Sequence, residues 1–119
     1  MLQYYNHVLW FKVCRPARYK YKLSVNSLLC LVGAYCYSQA INKPFTGTNL
    51  LRFIPFFNDK RMKYYIRVLI DRGYLVQVDS YNKYLRYSIS LAGLRVIKEL
   101  NESYDKELVL FCSKYNIEL

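Results

Sequence analysis

Residues 58–73 read NDKRMKYYIRVLIDRG, and the other predicted elements are arranged around this segment. At helical spacing the apolar residues share one side, which predicts a surface against the core: Met62, Ile66, Leu69 and Ile70. The other side is basic with one tyrosine: Lys60, Arg61, Lys63, Tyr64 and Arg67. Asn58 is a good N-cap, Asp59 suits the positive end of the helix dipole, and Gly73 can end the helix in the left-handed conformation. The stretch therefore predicts an amphipathic helix with both ends marked.

The basic side of this helix has two interpretations. Four cations on one face repel one another unless something negative lies against them, and a helix of this length fits the major groove of B-DNA. Basic residues on the outer face of an amphipathic helix are also a common solvated surface. The elements around the helix favour the first interpretation, in which it is a recognition helix.

Size and charge narrow the class of protein. The 119 residues predict one domain, and a hydrophobic content of 54% is enough for one core. The net charge of +10 points to a polyanion, either nucleic acid or an anionic membrane surface. Residues 46–90 hold eight basic and three acidic residues, whereas residues 91–119 hold four basic and five acidic ones. We therefore expect the cationic surface to exclude the C-terminal quarter.

Several classes of protein are disfavoured. No apolar run approaches the roughly 20 residues that cross a bilayer, and the N-terminus lacks the features of a signal peptide, so we expect a cytoplasmic protein without a membrane partner. The single histidine, His7, has no catalytic arrangement around it, and no glycine-rich phosphate loop is present. We expect neither an enzyme nor a cofactor.

The four cysteines contain no C-x-x-C pair and have no histidines grouped near them, so we expect no metal site. Three of them lie among apolar residues. The sequence therefore predicts buried free thiols, with redox sensing by one of them as the alternative.

Residues 1–22 form a basic, aromatic N-terminal arm with five Lys or Arg residues and no acid. Its structure is ambiguous between a short helix and a strand, and Pro16 is expected to interrupt any helix there. Three functions fit it: packing in a dimer, contact with the DNA backbone, and stacking on bases of single-stranded nucleic acid.

Two more helices are predicted before the basic one. Ser24 is a plausible N-cap for a central helix that is apolar almost all round, and Gly33 within it indicates close approach by a neighbouring element. Thr46 then begins a helix of about two turns that stops before Pro55. The turn of three or four residues before Asn58 is typical of a helix-turn-helix.

The chain after Gly73 predicts a hairpin and a long helix. Residues 74–78 and 84–89 have strand patterns, and residues 79–83 are expected to be the turn. Ser90 can cap a helix of about seven turns, which overhangs a small domain and predicts a homodimer. Its apolar stripe includes the expected dimerisation residues Ile97, Leu100, Tyr104, Leu108, Phe111 and Tyr115.

The predicted fold is therefore mainly α with a small β-hairpin: a winged helix-turn-helix with a long C-terminal helix. Residues 23–90 would be the core of it, with the recognition helix at about 58–73 and the wing at about 74–90. Residues 91–119 would be the C-terminal helix.

Over residues 21–115 the chain resembles winged-helix regulators of the MarR family. The residues that carry the resemblance are YKLS at 21–24, LIDRGYLV at 69–76 and ISLAG at 89–93. The resemblance implies that the basic face of residues 58–73 lies in the major groove and that Thr46 and Thr48 lie near phosphates. It also implies that Lys83 and Arg86 reach the minor groove or its flanking backbone. The wing departs from the family pattern, because Asp79 is followed by SYN without an arginine pair.

The resulting expectation is a dimeric transcriptional regulator that binds double-stranded DNA sequence-specifically. The alternative is a winged-helix protein of replication, plasmid or phage biology, or a protein-interaction module with nonspecific DNA binding. The family resemblance further implies a small aromatic ligand, and the many tyrosines fit either the lining of such a site or the core.

Overall fold

A computed structural model describes residues 7–54, 57–81 and 83–116, and in this part of the chain five helices accompany one hairpin. The elements in order are α1 (His7–Tyr21), α2 (Val25–Ile41), α3 (Gly47–Phe53), α4 (Asp59–Asp71), β1 (Leu75–Tyr81), β2 (Tyr84–Ile89) and α5 (Leu91–Lys114). This order confirms the predicted fold class. The residues expected to stop α3 and to lead into α4, Pro55 and Phe56, lie outside the described residues, as do Tyr4, Tyr5 and the side chain of His7.

Local side-chain signals place the starts of four helices where the sequence predicts them. In each case a side-chain oxygen of the N-cap accepts a hydrogen bond from a backbone N–H in the first turn, which satisfies one otherwise unpaired donor. These N-caps are Ser24, Thr46, Asn58 and Ser90. The cap of α3 is reciprocal, because the backbone N–H of Thr46 donates to Asn49 Oδ1 at 2.9 Å.

The end of α4 also follows its sequence. Gly73 has a φ of +80°, the left-handed region in which glycine is favoured, and the N–H of Tyr74 donates to the carbonyl of Leu69 at 2.9 Å. This reversal directs the chain straight into β1. The wing is therefore joined rigidly to the helix that precedes it.

Helix α2 lies at the centre of the molecule and is buried along most of its length. A Cβ atom on Gly33 would lie 2.3 Å from Ile54 Cδ1, far inside van der Waals contact. The end of α3 therefore packs directly on the α2 backbone, as the glycine predicts. All four cysteines are buried and free, which confirms the expected state of the thiols.

The expectation that Pro16 interrupts helical structure near the N-terminus is wrong, because α1 continues through it. Proline removes one helical hydrogen bond. The loss is offset by packing, since four side chains of α1 are buried in the core: Leu9, Trp10, Val13 and Cys14. Tertiary contacts, which local sequence does not reveal, decide the conformation of this segment.

Helices α1 and α5 pack antiparallel. Lys12 pairs with Glu107 at 3.1 Å and Lys20 with Glu99 at 2.6 Å. Residue numbers therefore increase along α1 in the direction in which they decrease along α5. Between the two helices the ring of Trp10 stacks on Tyr104 with centroids 4.2 Å apart. The contact unites the first and last described helices in one core.

The first strand of the wing is longer than predicted. Strand β1 continues to Tyr81, so that the turn is shorter than the expected residues 79–83, and an irregularity between Gln77 and Asp79 shifts the register. Phe45, next to the N-cap of α3, exchanges two backbone hydrogen bonds with Tyr87 of β2, at 2.9 and 2.8 Å. This bridge fixes the start of α3 beside the wing.

In the described ranges, none of the helices has the length and apolar character needed to cross a lipid bilayer.

Candidate nucleic-acid interface

Helix α4 separates apolar from basic side chains as the sequence predicts. Met62, Ile66 and Leu69 are buried, and Ile70 is half-buried. The basic face is exposed in all five predicted positions: Lys60, Arg61, Lys63, Tyr64 and Arg67. The apolar side of α4 is thus buried in the core, and its cationic side is available to a partner.

The cations of α4 stay outside the salt bridges found in the described part of the chain, which instead use Lys12, Lys20 and Arg86. A cluster of like charges that form no salt bridges raises the local positive potential and attracts polyanions. Among the described residues, no salt bridge therefore neutralises this face.

A cleft of about 700 Å³ separates α4 from the wing. Five of the nine residues predicted to bind DNA line it: Thr46, Thr48, Lys63, Arg67 and Lys83. Lys60, Arg61, Tyr64 and Arg86 are not among its lining residues. The fold thus brings the start of α3, the middle of α4 and the wing tip around one concave surface.

Two acidic residues also line this cleft, Asp59 at the start of α4 and Asp71 at its end, although the sequence predicted only a helix-dipole role for Asp59. Both are exposed. Their carboxylates repel phosphate at the two ends of α4, and Lys63 and Arg67 lie between them along the helix. The unusual position of Asp71 could have been noticed in the sequence, because an acidic residue in the last turn of a helix interacts unfavourably with the helix dipole.

The wing places its two predicted cations differently. Lys83 is exposed in the turn, with a left-handed φ of +69°. Arg86 instead donates two hydrogen bonds to the carboxylate of Asp79, each 2.6 Å long. These hydrogen bonds lower the pKa of Asp79 below its usual value. The guanidinium of Arg86 is thus committed to the opposite strand, a pairing that depends on the shifted register and was not predicted.

Tyr87 of β2 and Arg67 of α4 line the same cleft. Burial raises the pKa of the Tyr87 hydroxyl, and the positive charge of Arg67 acts against that increase.

A polar junction ties the end of α4 to α1 and α5. Arg72 donates to the backbone carbonyl of Tyr21 at 3.3 Å, while the hydroxyl of Tyr21 and the ammonium of Lys20 both donate to Glu99. The hydrogen bond from Lys20 is the main cause of the lowered pKa of Glu99. The candidate interface is therefore connected to the long helix through Tyr21.

The residues expected to form a dimer divide into two groups. Ile97, Leu100 and Tyr104 are buried in the core of this chain, so that they support α5 from within. Leu108 and Phe111 are half-buried against the core, and Tyr115 is exposed with its ring 4.9 Å from that of Phe111. The helical period predicted the apolar face of α5, but it did not predict which residues of that face are buried within the same chain.

Other exposed apolar side chains on α1 and α5 were not predicted. Val109 is 54% exposed and Leu110 62%, and on α1 Val8 is 70% exposed and Phe11 40%. These four side chains are called the terminal apolar patch below.

Helices α3 and α4, the turn between them and the following hairpin define a winged helix-turn-helix. Neither models of protein families nor sequences of curated proteins match this chain. Solved structures do match it. MepR, a transcription regulator of the Staphylococcus aureus multidrug efflux pump MepA, superposes with a TM-score of 0.71 and 10% sequence identity, over 91% of this chain and 76% of MepR.

Two structures of MarR from E. coli are also similar. The apo form gives a TM-score of 0.69 at 10% identity, over 92% of this chain and 80% of MarR, and the oxidised form gives 0.66 at 12% identity, over 92% and 72%. The resemblance drawn from the sequence is thus confirmed for the fold: this chain has the winged-helix architecture of MepR and MarR.

Proposed function

We propose that this protein is a transcription regulator that binds double-stranded DNA sequence-specifically as a homodimer. In each half-site α4 lies in the major groove, and the wing lies against the flanking backbone. The observation that carries the proposal is the exposed basic face of α4, which the described structure leaves without salt bridges and sets beside the cleft. The same fold in MepR, a transcription regulator, supports it.

Affinity and specificity come from different side chains in this proposal. Lys60 and Lys83 contact phosphates and contribute a salt slope of about −0.9 for each phosphate neutralised. Arg61, Lys63 or Arg67 contact base edges, where one good bidentate pair contributes about 1–3 kcal/mol of discrimination. The hydroxyls of Thr46 and Thr48 can donate to a phosphate at the rim of the cleft. Arg86, held by Asp79, stiffens the wing and contributes less to binding than Lys83 does.

The length and exposed side chains of α5 support a dimer. With 24 residues at about 1.5 Å each, α5 is about 36 Å long, which exceeds the two shorter dimensions of the molecule, 27 and 25 Å, but not the longest, 49 Å. Near its distal end Val109 and Leu110 are exposed to solvent. We propose that the terminal apolar patch of two copies pairs about a two-fold axis, with Tyr115 at its rim.

This arrangement assigns a role to each part of the chain. Residues 23–90 bind DNA, residues 91–119 form most of the dimer contact, and α1 joins the dimer through Val8 and Phe11. The junction at Glu99 transmits the spacing of the two α5 helices to the two α4 helices. The small aromatic ligand implied by the family resemblance stays a prediction.

Selection of bound duplexes from a random library at about 150 mM salt tests the proposal. The expected result is an enriched palindrome with half-sites about 10 base pairs apart, centre to centre. Salt-sensitive binding without any enriched sequence would instead support nonspecific DNA binding in replication, plasmid or phage biology. Failure to bind DNA at all would make α4 a surface for a protein partner.

The dimer is tested by the mass in solution, from light scattering, of two matched variants. Leu110→Asp puts a charge into the proposed contact and should give a monomer. Leu91→Asp changes an equally apolar side chain, 75% exposed at the opposite end of α5, and should remain a dimer. Equal masses for the two variants would contradict the proposed contact.

A further inference from the structure

Tyr64 is an exposed aromatic residue in the middle of the cationic face of α4. Its side chain is 63% exposed, and Lys60, Arg61 and Arg67 lie three or four positions away, one turn of helix to either side. An apolar ring among these cations does not serve the core, since the buried side of α4 is elsewhere. Its position requires a separate explanation.

The ring of Tyr64 packs against its neighbour Tyr65, which is itself held by other residues. Tyr65 is half-buried, its hydroxyl accepts a hydrogen bond from Asn26 Nδ2 at 3.0 Å, and its ring lies 5.1 Å from that of Phe57. The ring of Tyr64 meets Tyr65 edge-on, with centroids 5.4 Å apart and planes at 68°. This contact restricts the ring of Tyr64 before any ligand binds, which reduces the entropy lost on contact.

The chemistry of the major groove limits what such a ring can meet. In a duplex the faces of the bases are stacked on each other, so a side chain in the groove reaches only base edges. Those edges carry hydrogen-bond donors and acceptors and a single apolar group, the 5-methyl group of thymine. A preoriented ring is complementary to that methyl group, which leaves Lys60 for a phosphate and Arg61 and Arg67 for neighbouring base edges.

On the basis of the proposed function, we infer that Tyr64 is a specificity-determining residue that packs its ring on a thymine methyl in each half-site, with Tyr65 as the positioning residue. The contact makes an A·T pair preferred at one position through van der Waals packing. This apolar contact adds to the base readout that the arginine and lysine side chains provide through hydrogen bonds.

The test replaces thymine by deoxyuridine, one position at a time, in the duplex enriched from the random library. Loss of one methyl contact should weaken binding by the wild-type protein about fourfold per half-site, which corresponds to the ~0.8 kcal/mol of one buried methyl group. Tyr64→Ala should weaken binding to the thymine duplex and abolish the difference between thymine and deoxyuridine. Tyr64→Phe should keep that difference, because the ring is retained.

Two further variants separate the contact from general effects on folding. Tyr65→Phe keeps the packing but loses the hydrogen bond from Asn26, and should reduce the thymine-to-deoxyuridine ratio while leaving affinity for the deoxyuridine duplex unchanged. Tyr19→Ala removes another exposed tyrosine, on α1, and should leave the ratio at its wild-type value.

Three results would overturn the inference. Equal binding of the thymine duplex and every deoxyuridine duplex by the wild-type protein would remove the methyl contact. A loss in Tyr64→Phe as large as in Tyr64→Ala would assign the contact to the hydroxyl. Absence of any enriched sequence would overturn the proposed function and this inference with it, whereas an enriched sequence without a deoxyuridine effect overturns the inference alone.

Discussion

Replacement of Gly93 by alanine tests the packing that holds the base of the wing. Gly93 is buried in the first turn of α5, and a Cβ atom there would lie 2.3 Å from the carbonyl oxygen of Tyr74 and 2.8 Å from a side-chain carbon of Ile89. Carbon–oxygen contacts are ordinarily about 3.3 Å or longer. The carbonyl cannot swing away freely, because it accepts the backbone N–H of Ser90 at 3.1 Å.

The expected cost follows from these distances. Overpacking in a close-packed interior costs about 1–3 kcal/mol, and a backbone obstacle belongs at the upper end of that range. The gain in helix propensity offsets at most about 1 kcal/mol. Gly93→Ala should therefore destabilise the protein by about 2 kcal/mol, or lower its Tm by about 8 °C for a domain of this size.

Gly47→Ala is the matched control. Its added Cβ would meet Ile66 Cδ1 at 3.7 Å and Met62 Cγ at 3.8 Å, which are ordinary contacts. This variant should be neutral or more stable by up to about 1 kcal/mol. Urea unfolding followed by circular dichroism measures both variants. Equal stability of Gly93→Ala and Gly47→Ala would refute the close approach of α5 to the turn between α4 and β1.

The remaining predictions concern DNA readout, the thiols and the core. Arg67→Ala should weaken binding selectively at one base position, whereas Lys83→Ala should weaken binding to all sequences alike; anisotropy titrations over single-base variants of the enriched duplex distinguish them, and uniform losses for both would remove direct readout from Arg67. Burial raises the pKa of three thiols and keeps them protonated. These are Cys14 and Cys30, each with a pKa of about 12, and Cys36, with a pKa of about 11. At about pH 8 these thiols should therefore react with Ellman's reagent no faster than the protein unfolds locally to expose them. Rapid labelling of the native protein would instead support redox sensing by one of the cysteines. Trp10→Ala should cost about 3–5 kcal/mol in urea unfolding, because the fully buried indole stacks on Tyr104; a loss below about 1 kcal/mol would show that α1 is not part of the core.

Features decided by neighbouring residues were predictable from the sequence. A side-chain cap acts on a backbone N–H only two or three residues away, so Ser24, Thr46, Asn58 and Ser90 identified the starts of their helices. The two faces of α4 followed from its period alone.

Features decided by distant contacts were not predictable. Helix α1 continues through Pro16 because its side chains pack in the core, where Trp10 stacks on Tyr104, a residue distant in sequence. The pairing of Arg86 with Asp79 depends on the irregularity in β1. The stripe on α5 gave the apolar face, but only the fold shows that Ile97 is buried within the chain while Leu110, on another side, is exposed.

A dimethyl sulfate footprint on the enriched duplex tests whether α4 lies in the major groove. The reagent methylates guanine N7 in the major groove and adenine N3 in the minor groove. If α4 lies in the major groove, guanine N7 should be protected in two blocks about 10 base pairs apart on one face of the duplex, and Arg67→Ala should weaken the protection of both blocks. Protein bound to the enriched duplex with guanine N7 fully reactive throughout, or with protection confined to adenine N3, would contradict it.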